Sequence, residues 1–65
     1  MIIMWRDYDE AGTVRESEVT SDIQFLPGAV LNFWGILNHG DGDRETATDE
    51  EHNIDADHVL WICDN

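Results

Sequence analysis

A run of acidic residues in the second half of the chain constrains its folding most strongly. The segment 41–57 (DGDRETATDEEHNIDAD) contains eight carboxylates and one arginine, so it carries −7 of the formal net charge of −12. Like charges cannot be buried without partners, so these side chains must be solvated or must meet a positively charged surface. We therefore interpret the rest of the chain as the scaffold that presents this segment.

The composition predicts one small domain, residues 1–65, with enough apolar residues for a core. Hydrophobic residues make up 42% of the chain and include three tryptophans, which argues against disorder despite the charge. Cys63 is the single cysteine, so an internal disulfide is excluded and a reducing, cytoplasmic location is indicated. The acidic N-terminal region does not resemble a signal peptide. The longest apolar run, around 29–37, is much shorter than the roughly 20 residues of a membrane span.

Apolar segments separated by turn signals predict an all-β fold, a small antiparallel sheet of about four to five strands. The first predicted strand is 2–8. The second is 13–20, a charged edge strand that bends at Ser21 and Asp22 and continues as an extended segment over 23–26. The segment 57–63 is predicted to be a central strand. Turns are predicted at 9–12 with Gly12 at positive φ, at Pro27-Gly28 and at 39–43. A short returning strand is predicted at 44–48, followed by a polar loop over 49–57 with one helical turn begun by Asp49.

The segment 29–38 (AVLNFWGILN) has an ambiguous pattern. Its apolar residues fit a strand with period 2, and they also fit a helical stripe through Val30, Phe33, Trp34 and Leu37. Gly35, the β-branched and aromatic residues and the short length favour a strand. The alternative is an α+β fold with one helix at 29–38.

Pairs of acids separated by one residue recur along the chain, and they suggest what the charge is for. On an extended strand such pairs point the same way, about 6.6–6.8 Å apart, whereas phosphates along one DNA strand step about 3.4 Å. Rows of carboxylates with this spacing can imitate a phosphate backbone. The predicted partner-binding residues are Glu16, Glu18, Asp41, Asp43, Glu45, Asp49, Glu50, Glu51, Asp55 and Asp57.

The patterns that would indicate metal binding or catalysis are incomplete. Asp41, Asp43, Glu45 and Asp49 match four positions of a calcium loop, but Thr46 and His52 stand where glycine and glutamate are required. The spacing of His39, His52, His58 and Cys63 matches no common zinc site. His58 beside Asp57 lacks a nucleophile. We therefore predict no metal, no cofactor and no enzymatic activity, and interpret Trp5, Trp34 and Trp61 as core residues, of which one could anchor a partner.

In its short length, strong acidity and lack of lysine, the chain resembles the small phage-encoded DNA-mimic inhibitors. These include anti-CRISPR proteins and the uracil-DNA glycosylase inhibitors. The resemblance implies that the acids occupy the basic DNA-binding groove of a host protein, here the PAM-reading groove of a type I CRISPR surveillance complex, and exclude DNA. Independently of the resemblance, the strong negative charge predicts that the chain binds neither nucleic acid nor anionic membranes, and we expect a monomer or weak dimer.

Two other interpretations remain open from the sequence. Nine aspartates, six glutamates and no lysine are also typical of a salt-adapted haloarchaeal protein. An acidic antitoxin or regulatory subunit that covers a basic partner would have a similar composition. The concentration of charge in 41–57 favours a dedicated binding face over general salt adaptation.

Overall fold

The computed structural model describes residues 1–38 and 48–64, and its strands confirm the all-β prediction. The six strands are β1 (Ile2–Arg6), β2 (Val14–Val19), β3 (Gln24–Leu26), β4 (Val30–Asn38), β5 (Asp49–Asp55) and β6 (Val59–Cys63). A 3₁₀ turn, Ala56–His58, joins β5 to β6. The helical alternative for 29–38 is wrong, because β4 covers that segment. Within the described residues, no helix has the length and apolar character needed to cross a membrane.

All strand pairs are antiparallel and form one curled sheet. Strand β4 pairs with β5 along one side, and with both β2 and β3 along the other, while β1 lies between β2 and β6. Strands β2 and β3 therefore act as two halves of one bent strand. At the bend, the Thr20 amide donates to the Trp34 carbonyl, and the Trp34 amide donates to Ser21 Oγ, each over 2.8 Å. The predicted bend at Ser21 is thus confirmed, and the serine side chain replaces the missing strand partner.

Two predicted strand positions are wrong. Strand β2, predicted at an edge because it is charged, lies inside the sheet between β1 and β4. Its glutamates point to the solvated face while Ser17 and Val19 point inward, as an antiparallel sheet allows. Strand β6, predicted to be central because both faces are apolar, pairs only with β1 among the described strands and lies at an edge.

The predicted polar loop over 49–57 is also wrong, because most of it is strand β5. Its side chains alternate in burial: His52 and Ile54 are buried, whereas Glu51, Asn53 and Asp55 are exposed. Pairing with seven residues of β4 supplies the backbone hydrogen bonds that a polar sequence does not predict by itself. The 3₁₀ turn begins only at Ala56 rather than at Asp49.

The core occupies the concave side of the curled sheet. Ile3, Trp5, Phe33 and Ile54 are buried together there, with Val19, Ile23, Leu37 and Val59 packed against them. Gly35 lies where β4 and β2 are closest, since a Cβ at this position would be only 2.8 Å from the Glu18 carbonyl oxygen. A side chain at position 35 would therefore push β2 and β4 apart.

Tyr8 forms contacts that help to hold the sheet in its curled shape. Its hydroxyl accepts a hydrogen bond from the Asp55 amide over 2.9 Å, and its ring stacks on His58 at 4.3 Å. His58 Nδ1 in turn donates to the Arg6 carbonyl over 3.0 Å. These contacts tie the end of β1 to the connection between β5 and β6, which are distant in the sequence.

The turns agree with their sequence signals where the structure describes them. Gly12 has φ of 61° and Gly28 has φ of 87°. In the first turn, hydrogen bonds from the Thr13 hydroxyl and then the Thr13 amide lower the pKa of Asp9 below its usual value. The turn predicted at 39–43 lies outside the described residues, as does all but Thr48 of the strand predicted at 44–48, and Thr48 is not in a strand.

Candidate partner-binding face

Two rows of acidic side chains lie on the convex face of the sheet, opposite the core. Ile36 on β4 pairs with Glu18 on β2 and with Asp49 on β5. Directly paired residues of adjacent strands project to the same face. Glu18 and Asp49 therefore flank Ile36 on one surface. From there the two rows extend in opposite directions, because Glu16 is level with Asn38 and Glu51 is level with Trp34.

The spacing of the rows follows from sheet geometry. Acids within a row are about 6.6–6.8 Å apart, and the rows are separated by two strand spacings, roughly 10 Å. At these distances the repulsion between two carboxylates in water is only about 0.4–0.6 kcal/mol, and salt screens it further. The sheet can therefore hold both staggered rows on one face as long as they remain solvated.

The other predicted partner-binding acids are distributed over different surfaces. Asp55 pairs with Val30 and continues the β5 row, whereas Glu50 pairs with Gly35 and belongs to the opposite face. Asp57 is exposed on the 3₁₀ turn. Asp41, Asp43 and Glu45 lie outside the described residues. The face defined by Glu16, Glu18, Asp49, Glu51 and Asp55 is called the acidic face below.

The two described arginines form hydrogen bonds at the end of the sheet near the turn between β1 and β2. Arg6 Nη1 donates to the Gly12 carbonyl over 2.7 Å. Arg15 Nε is 3.0 Å from Asp7 Oδ2, and both side chains are about one-third exposed. Arg15 pairs with Trp5 and so belongs to the concave side. These arginines are therefore engaged at the margin of the acidic face.

Two of the three tryptophans are exposed. The sequence predicted all three to be core residues, of which one could anchor a partner. Trp5 is buried, but Trp34 is 45% exposed and Trp61 is 61% exposed. Trp34 pairs directly with Glu51 across β4 and β5. Next to them, Asn32 Nδ2 donates to Asn53 Oδ1 over 2.9 Å and to Glu51 Oε2 over 3.3 Å. An indole and an oriented carboxylate thus lie side by side on the acidic face.

A buried polar network crosses the concave side, and no sequence motif predicted it. Trp5 Nε1 donates to Ser17 Oγ over 2.9 Å, and Ser17 Oγ is 3.0 Å from His52 Nε2. His52 Nδ1 is 3.0 Å from the Glu50 carbonyl oxygen, which can only accept, so Nδ1 donates there while Nε2 faces the Ser17 hydroxyl. The His52 ring stacks on Phe33 at 4.7 Å. Ser17 is fully buried and His52 is 6% exposed, so this serine–histidine pair lies within the core and links three strands.

We expect Ser17→Ala to lower the free energy of unfolding by about 1–3 kcal/mol, because it leaves the Trp5 N–H and His52 Nε2 buried without partners. Urea unfolding followed by tryptophan fluorescence measures the change. Thr20→Val is the matched control, since it deletes an exposed hydroxyl that donates to Asp49 over 2.6 Å. The control should change stability by no more than about 0.5 kcal/mol. Equal losses in the two variants would contradict the structural role of the network.

A cleft of about 260 Å³ opens between β5 and the end of β1. Trp5, Tyr8, Leu37, Glu50 and His52 are among its lining residues. It is smaller than the roughly 300–1,000 Å³ typical of ligand pockets. The described residues also bring together no group of three or more histidine, cysteine or acidic side chains that could hold a metal ion. We therefore take the acidic face as the candidate site for binding a partner.

In comparisons with known proteins, no family model, no curated protein and no solved structure matches this chain.

Proposed function

We propose that this protein is a DNA mimic that occupies the basic DNA-binding groove of a host protein and prevents DNA from binding there. The observation that carries the proposal is the pairing of Glu18 and Asp49 on either side of Ile36, which places two acid rows on one face. The expected target is the PAM-reading groove of a type I CRISPR surveillance complex in the cytoplasm of a host bacterium. The protein acts by steric and electrostatic exclusion.

The dimensions of the acidic face support this function. Its rows are roughly 10 Å apart, between the widths of the minor and major grooves of B-DNA, about 6 and 12 Å. From Glu16 to Glu18 and from Asp49 to Glu51 one carboxylate occurs about every second phosphate step, and Asn53 interrupts the β5 row before Asp55. A groove that uses lysines and arginines to bind two phosphate strands can therefore contact two rows of carboxylates on this sheet.

The neighbouring aromatic side chain supports an arginine-containing partner. A guanidinium stacks well on an indole and also forms hydrogen bonds with a carboxylate. Trp34 and Glu51 are directly paired, so one arginine can contact both side chains. Tryptophan and arginine are also enriched among the residues that dominate binding energy at interfaces. We expect the Trp34–Glu51 pair to receive an arginine from the DNA-binding groove.

The function is tested with a purified type I surveillance complex and its labelled target duplex containing a PAM. Adding this protein before the duplex should abolish duplex binding, and excess duplex should reverse the inhibition. Affinity for the complex should fall on the order of tenfold to 100-fold between about 50 and 200 mM salt, because the contacts replace phosphate contacts. Association should be fast at low salt because of electrostatic steering.

Other outcomes assign the protein differently. If the protein binds the complex while the duplex stays bound, inhibition is allosteric and the acidic face is not a mimic. If it binds no surveillance complex but binds another DNA-binding protein competitively with duplex, the mimic mechanism stands and the target is corrected. If it competes with DNA on no basic DNA-binding protein tested, including a uracil-DNA glycosylase, the proposed function is wrong.

A further inference from the structure

Strand β6 presents an apolar edge to solvent. It pairs with β1 on one side, and no other described strand pairs with its second side. Leu60, Trp61 and Ile62 are consecutive in this strand and are 46%, 61% and 41% exposed. Edge strands offer unpaired backbone N–H and C=O groups, and exposed apolar edges are sites of strand addition.

The other free edges are protected by charge or by short length, whereas β6 carries a bulge at Leu60, where its pairing with β1 shifts register. Strand β5 contains four acids among its seven residues, so its edge repels another copy of this acidic chain. Strand β3 has only three residues and is followed by Pro27, which limits pairing. Strand β6 has five residues (VLWIC) and no charge. Among the described edges, β6 is therefore the one that another strand can extend at the lowest electrostatic cost.

We propose that β6 pairs antiparallel with β6 of a second copy of this chain, forming a two-fold symmetric dimer with a continuous sheet. Centred on Trp61, this register places Val59 opposite Cys63 and Leu60 opposite Ile62 of the second copy. At the ends, Asp64 lies opposite His58 rather than opposite another acid. In this register, β6 of one copy matches β6 of the other residue by residue, as a two-fold interface requires.

The net charge also favours β6 as the contact. Each copy carries −12, so association through a charged face brings many like charges together. The β2 row is two strands away from β6, or roughly 10 Å, and β5 lies at the other end of the strand order, although its last acid, Asp55, precedes the short turn that leads into β6. The two-fold axis is perpendicular to the sheet, so both acidic faces of the dimer point to the same side and remain free.

The interface is small, and this determines the expected affinity. Stable interfaces bury roughly 800 Å² on each partner, more than one five-residue strand edge provides. We expect a concentration-dependent monomer–dimer equilibrium that strengthens as salt rises, because salt screens the repulsion between copies. The DNA-mimic interaction has the opposite salt dependence, so the two proposals fail independently.

The proposal is tested by sedimentation equilibrium of the full chain. A reductant is added so that Cys63 does not form a disulfide between copies. The concentration series runs from micromolar to millimolar, at about 0.1 M and about 1 M salt. Wild-type protein should dimerise, and Trp61→Lys should weaken dimerisation at least tenfold because it places two ammonium groups opposite each other. Phe25→Lys is the matched control, since Phe25 is 78% exposed on β3 and the charge change is the same. Both variants lower the net negative charge, so general electrostatics alone would tighten both dimers.

Hydrogen exchange gives a readout that needs no variant. Amides of β6 should become more protected as protein concentration rises, while those of β5 should not. A wild-type protein that stays monomeric throughout the series would overturn the proposal. So would equal dimerisation by Trp61→Lys and Phe25→Lys, or concentration-dependent protection that appears in β5 or β3 instead of β6.

Discussion

The double substitution Glu16→Lys and Glu51→Lys is expected to abolish competition with DNA. It reverses one carboxylate in each row of the acidic face, and it removes the partner of Trp34. Losing charge pairs at a desolvated interface and opposing the target's cations should weaken binding on the order of 100-fold or more. Both side chains are exposed, so the melting temperature should change little. The duplex-competition assay measures the effect.

A second double substitution distinguishes the effect of where the charges lie from the effect of the total charge. Glu10→Lys with Asp22→Lys changes the net charge by the same amount at two exposed residues outside the strands. This variant should keep most of its inhibition and lose only part of its electrostatic steering, a loss that appears in the association rate. If the two double variants lose affinity equally, total charge rather than the acidic face determines binding. The reversal Asp43→Lys with Glu45→Lys tests whether the segment before β5 contributes to the same contact.

Phe33→Ala is expected to remove a large part of the protein's stability. Phe33 is fully buried and its ring stacks on His52, so truncation removes a large apolar contact and one side of the polar network. Such substitutions cost about 3–5 kcal/mol. A domain of 65 residues is stabilised by roughly 3–10 kcal/mol in total. Circular dichroism and urea titration should show a large fall in the free energy of unfolding.

Phe25→Ala is the control for this core prediction. Phe25 is the other phenylalanine of the chain, and it lies exposed on β3. Removing its ring should change stability by no more than about 0.5 kcal/mol. Similar losses for the two phenylalanines would mean that the concave side of the sheet is not the main core.

The sequence predicted the strands whose own residues have a clear period or bounding turns. Strand β4 was correctly favoured over a helix because Gly35 and the β-branched and aromatic residues are unfavourable in a short helix. Gly12 was correctly placed at positive φ. Strand β5 was missed because its inward residues include only one aliphatic side chain, Ile54, and His52 does not register as apolar. The alternation of His52 and Ile54 between exposed residues was the available signal.

The local sequence pattern does not predict which strands lie next to each other in the sheet. Charge on β2 predicted an edge, yet an antiparallel sheet can solvate one face of an interior strand. Apolarity on both faces of β6 predicted a central strand, yet β6 borders only β1 among the described strands. Trp61 on this strand is 61% exposed.

The sequence by itself determined the charge of this protein, its β character and the spacing of acids within each strand, because these depend on residues close together in the chain. Only the tertiary structure decided that the Glu16–Glu18 row and the Asp49–Glu51 row share one face. The reason is that both β2 and β5 pair with β4, and the register at Ile36 places Glu18 and Asp49 in line. Bringing Glu18 and Asp49 onto one face through their shared partner Ile36 depends on the packing of Phe33, Ile54 and the Ser17–His52 network on the other face, and no local pattern of acids encodes it.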